Sequence, residues 1–389
     1  MSDNQDTNNP VDERTSRLAA WLREPRSACL PESDDGWREL VQTAREHRVV
    51  GLLLELCRSH DIQVPVDIYR NMRALAAADA GHAHALKSDL HRILTAFEEN
   101  GVDVCVLKGL ALHLTVYPRL DQRPAGDIDL LVAPSDAEKA CRILEEADCE
   151  PGQTLLRPDF FPKYYYETEY HSNSMQGARI DLHAYPLRPL RYSRMIEHQE
   201  FVAATDVIEF DGLPVRIPRP TVMLIHLAAH AAFHGFERLI WLYDIKCWIT
   251  QYRNRIDRVE LRKLCRRWGL ALAVARAFEE TENAFGPCGL GELTRTLSAG
   301  RIAWQDRLVL HEAPRAAASP ARHVMTTWLT TPGWRFANRY LWAATVPGKA
   351  HLASVYPFRH WGWEVAAMGY RMIRPLTNLL KKPAPSTSG

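Results

Sequence analysis

Between Gly101 and Pro220 the hydrophobic period of this chain changes from that of helices to that of strands, and after Pro220 it changes back. Apolar residues at intervals of three and four line one stripe of a helix, whereas intervals of two line one face of a strand. The chain must therefore build a sheet between two helical regions. Upstream, "GWRELVQTAREHRVVGLLLELC" spaces Trp37, Leu40, Val41 and Ala44 at helical intervals and stays apolar through 49–56. "RNMRALAAADAGHAHALKSDLHRILTAFEEN" continues helical to a stop at Asn100-Gly101. Then "VDVCVL" (102–107) reads as a strand, "GLALHLTVY" (109–117) as a helix ended by Pro118, and "DIDLLV" (127–132) as a strand. "PSDAEKACRILEEAD" (134–148) reads as a helix capped by Ser135, with Glu138 as its capping-box partner. "YYYETEYHS" (164–172) and "ARIDLHAY" (178–185) alternate like a hairpin, and "DVIEFDGLPVRIP" (206–218) like a second one turning at Asp211-Gly212. The expected fold is α+β. A small mixed-sheet core at 101–220 lies between helical regions at 15–100 and 221–382, with disordered tails at 1–14 and 383–389.

Composition narrows the function classes. The 48 basic and 47 acidic residues leave a net charge of +1, and no basic-aromatic tract flanks the strand segment, which argues against a template nucleic acid. No run of about 18 apolar residues predicts a transmembrane helix. The polar, acidic N-terminus "MSDNQDTNNPVDER" lacks the features of a secretory signal. The eight cysteines form no CxxC pair and sit mostly in apolar surroundings, so buried free thiols in a reducing cytoplasm are expected.

The chemistry is concentrated in "VLKGLALHLTVYPRLDQRPAGDIDLLVAP" (106–134). Asp127 and Asp129, two apart in a strand, project to one face among Ile, Leu and Val. Two carboxylates so close repel unless a cation lies between them, and hard oxygen ligands suit Mg²⁺ or Mn²⁺. Asp181, the one acid of "ARIDLHAY", is the candidate third ligand. Lys108-Gly109 marks a strand-to-helix turn, where glycine permits close backbone approach and a helix start favours phosphate.

The order strand, glycine, helix, DxD strand and third-Asp strand resembles the DNA polymerase β-type nucleotidyltransferase superfamily. "LKGLAL…YP…R…GDIDLLV", "IDLHAY" and "HLAAHAAFHGFERLIWLYDI" resemble the uncharacterised bacterial nucleotidyltransferase family within it, and "TAREHRVVGLLLELC" is similar to that family's N-terminal helix. The likeness covers about residues 40 to 250. Lys108-Gly109 stands where the superfamily usually has Gly-Ser, a departure from the superfamily that agrees with the narrower family. The loop and helix before Asp127 are also longer than usual. The resemblance implies metal-dependent transfer of an NMP group from an NTP to a hydroxyl of a small molecule, peptide or protein. Asp127, Asp129 and Asp181 would be the catalytic and metal-binding carboxylates.

Around them, Lys108 reads as a point charge for the β- and γ-phosphates or as a strand-end lysine reaching solvent. Arg123 reads as a phosphate clamp or as the salt-bridge partner of Asp127 or Asp129. His183, two residues after Asp181, either orients the acceptor or moves a proton, or is a hydrogen-bonded core histidine. His226, His230 and His234 form a stripe at intervals of four, but "HLAAH" lacks the glutamate of a zinc HExxH. A stripe packed on the catalytic lobe is expected, and the resemblance makes His230 and Asp244 the candidates for substrate contact. "WGWEVAAMGYRMIRPLTNLLKK" (361–382) reads as a helix docked on the protein itself, or as a surface for a membrane or a protein partner. The competing function is a non-catalytic binding or regulatory protein that kept the fold.

Overall fold

In this computed structural model the described residues are 13–25, 30–152, 160–174, 177–315, 319–346, 348 and 351. The strand-period segment builds one mixed sheet, seven-stranded among the described residues. Its strands are β1 (Val104–Val106), β2 (Ile128–Val132), β3 (Cys149–Pro151), β4 (Glu167–Ser172), β5 (Arg179–His183), β6 (Thr205–Phe210) and β7 (Leu213–Pro218). They lie in the order β3-β4-β5-β2-β1-β7-β6. The β2–β5 and β1–β7 pairs are parallel and the other neighbours antiparallel. Both expected hairpins form. The second turns at Asp211 (φ 47°) and Gly212 (φ 86°), the doubly positive pair that a tight two-residue turn requires.

Every residue of β2 is buried, including Asp129. A strand covered on both faces normally reads as an unbroken apolar run, so Asp129 is an exception that its partners must justify. Asp127 lies one residue before the strand begins.

Helices surround the sheet on both sides of it in sequence. The N-terminal stretch divides into Asp34–Glu46, with Ser33 Oγ accepting from the Gly36 amide at 3.2 Å, and Val50–Ser59. Arg48, with φ 57°, makes the break. Val66–Glu99 follows as one long helix. On the C-terminal side, Pro220–Phe233 is buried around its whole circumference except at His230, as a helix apolar on every face must be. Leu239–Tyr252 packs against it, and Trp248 Nε1 donates to the Pro220 carbonyl at 2.9 Å. One continuous buried core runs from Leu18 through the sheet to Val309. A smaller cluster joins Phe160, Tyr164 and Leu190 to Tyr340, Ala343 and Ala344.

Some local expectations need correcting. The helix expected at 109–117 is Lys108–His113, because the Leu112 carbonyl collects the amides of Thr115, Val116 and Tyr117 and closes the turn early. Asp136, not Ser135, is the N-cap of Ala137–Glu146, and no side chain caps that helix. Residues 13 and 14 open the helix Glu13–Arg23. The remainder of the 1–14 tail, the 383–389 tail and the 361–382 segment lie outside the described residues. Cys57, Cys105, Cys141, Cys149, Cys247, Cys265 and Cys288 are free thiols. No helix among the described residues is long and apolar enough to cross a membrane.

Candidate active site

The β2–β5 register sets Asp129 directly beside Asp181, and the β4–β5 register sets Glu169 beside Asp181 and Glu167 beside His183. Alternation then carries all of these side chains, with Asp127, to one face of three adjacent strands. These five carboxylates line a single cavity of about 520 Å³, which Glu237 and Asp244 also border. Two of them, Glu167 and Glu169, were not singled out in the sequence. Their signal is the period of two in "ETEYH", which becomes informative only once β4 is known to pair with the Asp181 strand.

Two cations hold this acidic face together. Lys108 Nζ stands 2.7 Å from Asp129, and His183 Nε2 donates to the same Asp129 oxygen at 2.9 Å. Burial alone would push the Asp129 carboxyl up, but Lys108 and then His183 hold it well below the usual carboxylate range. Burial likewise opposes the Lys108 ammonium, yet Asp129, Asp127 and Glu167 raise it above its ordinary value. Lys108 has φ 39°, a left-handed conformation costing a lysine about 1 kcal/mol, and it turns the side chain back onto β2. The second cation is Arg179, which donates to Asp127 and, at 3.0 Å, to Asp181. Asp181 is pushed up to about 7, first by burial and then by Glu167, Asp129 and Asp127.

The other sequence candidates occupy different positions. Arg123 meets neither Asp127 nor Asp129. Its Nε and Nη2 straddle Asp244 at 2.9 to 3.1 Å, and the Tyr117 hydroxyl donates to Asp244 at 2.7 Å. Both residues line the cavity wall with their charges spent on each other. Gly109 admits this arrangement, since a Cβ there would lie 3.3 Å from Arg123 Nη1. His183 is 1% exposed, set behind Asp129 with Nδ1 3.5 Å from Glu167, and does not line the main cavity. His230 and His234 do line it, their rings tilted against each other at 4.5 Å between centroids with Trp241 against both. His226 is buried behind them, beside Phe201. The stripe is therefore an aromatic packing face, and His226 does not reach the cavity that the other two line.

The donor chemistry on β2 and β5 suits a hard divalent cation. Asp129 and Asp181 lie on neighbouring strands with Asp127 one residue before β2, and the Asp181 carboxyl, raised by burial first and then by Glu167, Asp129 and Asp127, is one whose ionised form a nearby positive charge would favour. As the side chains stand, Lys108 and Arg179 supply that charge. Among the described residues no group of three His, Cys, Asp or Glu is arranged to hold a metal ion.

Local sequence did not mark Arg179, and three further unmarked arginines line the cavity: Arg48, Arg188 and Arg238. They come from the break between N-terminal helices, the loop after β5 and the turn before Leu239–Tyr252. No periodicity connects residues so far apart.

None of the curated proteins is similar enough to match this chain. The family described as "Uncharacterised nucleotidyltransferase" matches residues 33–286, more than half of the chain, from the first capped N-terminal helix through the sheet to the end of Ala271–Phe285. That span contains every carboxylate and cation of the cavity, and the chain belongs to this nucleotidyltransferase family.

Proposed function

We propose that the protein is a metal-dependent nucleotidyltransferase that moves an NMP group from an NTP to a hydroxyl acceptor and releases pyrophosphate. The observation that carries this reading is the register of Asp129 against Asp181, with Asp127 one step outside, on the acidic face of the family's matched region. Asp127, Asp129 and Asp181 would hold Mg²⁺ or Mn²⁺. A bound divalent ion neutralises charge on the triphosphate and on the departing pyrophosphate.

The remaining work falls to this chain's own residues. The acceptor oxygen bonds to the α-phosphorus while the bond from that phosphorus to the α,β-bridging oxygen breaks. Pyrophosphate leaves with the electron pair, and the acceptor proton passes to a base. His183 fixes the Asp129 carboxylate from behind and stays clear of the acceptor. Lys108, with Gly109 beside it, is the phosphate-facing cation at the cavity floor, and Arg123 with Asp244 keeps the wall in place. His230 presents its ring to the ligand. A cavity of about 520 Å³ is within the range of small-molecule sites, which supports an NTP with a small acceptor or a single exposed side chain.

The test is calorimetry of the full chain with each NTP in Mg²⁺, followed by mass spectrometry of a lysate incubated with the NTP that binds. Wild type should bind one or more NTPs and leave a nucleotide-mass adduct, and Asp129→Asn should leave none. NTP-independent capture of a partner by both proteins alike would favour the non-catalytic alternative. Absence of any NTP binding by wild type defeats the proposal.

A further inference from the structure

Arg48 and Arg238 come from opposite helical regions and meet on one wall of the cavity. The meeting is built. The Leu239 amide donates to His47 Nδ1 and the Ile240 amide to the His47 carbonyl, each at 3.3 Å. The turn carrying Arg48 is thereby docked on the start of Leu239–Tyr252, for which Arg238 is the N-cap. Arg48 takes a left-handed φ of 57° in that turn. Gly126 leaves room for its guanidinium, since a Cβ there would lie 3.0 Å from Arg48 Nη1. Arg238 lies over the Trp241 ring at 5.2 Å, which restricts its fork to the cavity side.

Neither guanidinium has a carboxylate within ion-pair distance among the described residues. Asp127, the cavity acid whose charge acts on Arg48, is bonded to Arg179. Two half-buried cations thus line one cavity within electrostatic reach of each other, and burial first, then Arg238, draws the Arg48 pKa down. Asp127 and Asp79 offset part of that repulsion from a distance, but neither closes an ion pair with Arg48, and an arriving anion would relieve the remainder. Paired guanidiniums match the two-pronged geometry of phosphate oxygens, and their combined charge matches the roughly −1.5 to −2 of a terminal phosphate at pH 7.

We propose that Arg48 and Arg238 form a second phosphate-binding subsite of this cavity, separate from Lys108. Its occupant is a phosphoryl group, either of the nucleotide or of a phosphorylated acceptor. The inference stands on the geometry of the wall and does not require that a nucleotidyl group be transferred.

The experiment is calorimetry of the full chain with inorganic phosphate and, separately, with ATP in Mg²⁺. Wild type is compared with Arg48→Gln, Arg238→Gln, Arg48→Lys and Arg255→Gln, the last being an exposed arginine paired with Asp206 away from the cavity. Each glutamine variant should weaken phosphate by about tenfold or more, the size of one lost charge-assisted contact. Arg48→Lys should lose less, and Arg255→Gln nothing. A parallel loss for ATP assigns the subsite to the nucleotide, whereas unchanged ATP affinity assigns it to a phosphorylated acceptor. Thermal melting of each variant separates lost binding from lost folding. Phosphate affinity equal in wild type and both glutamine variants, or undetectable in wild type, overturns the proposal. Asp129→Asn should retain phosphate binding while losing transfer, so failure of the transfer reading leaves this result intact.

Discussion

Arg123 and Asp244 offer the sharpest quantitative test of the site's construction. They are 7% and 1% exposed, joined by a two-pronged contact at 2.9 to 3.1 Å, with the Tyr117 hydroxyl on the same carboxylate. At an effective dielectric of 20, opposite charges about 4 Å apart attract by about 4 kcal/mol. Arg123→Met removes the guanidinium and leaves Asp244 ionised in the wall with Tyr117 as its remaining donor. Removing one member of a buried pair costs about 3–5 kcal/mol, because the survivor keeps its desolvation penalty without its partner. Arg123→Met/Asp244→Leu removes that penalty as well, so it should lie within about 1.5 kcal/mol of wild type or be more stable. Urea denaturation followed by tryptophan fluorescence reads both values, and calorimetry with ATP reads the site. If the pair is a structural bracket, the double variant recovers stability and most of its ATP affinity. A single-variant loss below about 1 kcal/mol, or a double variant as unstable as the single, would refute the reasoning.

Gly51→Ala should destabilise by about 1–3 kcal/mol in the same urea assay, since a Cβ there falls directly on the Asp121 carbonyl and would push out the loop leading to Arg123. His113 is buried beside Arg123, and burial first, then Arg123, lowers its pKa to about 4. The unfolded chain therefore binds a proton below about pH 6.5 that the folded chain refuses. Stability should be full above that pH and fall on acidification toward about 4 by up to 1.4 kcal/mol per unit, and His113→Phe should flatten this slope in urea titrations across pH. Arg179→Gln withdraws the cation between Asp127 and Asp181, so Mn²⁺ should bind the variant more tightly than wild type in calorimetry. Weaker or equal binding would mean that Arg179 does not compete with a metal. Asp181→Asn should abolish nucleotide transfer while leaving the melting temperature equal or higher, because it removes one of several mutually repelling carboxylates.

The sheet was legible because a period of two survives any tertiary context. "VDVCVL", "DIDLLV", "ARIDLHAY" and the Asp211-Gly212 hairpin each carry it locally, and each became a strand. Boundaries were less legible where hydrogen bonds compete over a few residues, as where the Leu112 carbonyl ends a helix that its apolar pattern would extend. The acidic pair and Asp181 were legible because a carboxylate inside an apolar strand is costly anywhere, whatever lies beside it. Glu167 and Glu169 were not, because acids alternating with buried residues along a strand are ordinary until the pairing partner is known.

The chain's own order of residues thus determined which segments are helix and strand, which face of β2 carries charge, and that the lysine-glycine turn lies next to it. Those are short-range properties, set by side-chain periodicity and local backbone preference. The tertiary structure decided the partners: Arg123 with Asp244 instead of Asp127 or Asp129, Arg179 across Asp127 and Asp181, and His183 behind Asp129. It also brought Arg48 and Arg238 to one wall. Such pairings depend on strand register and helix docking between residues up to about two hundred positions apart, and no local pattern in the sequence encodes a distance of that kind.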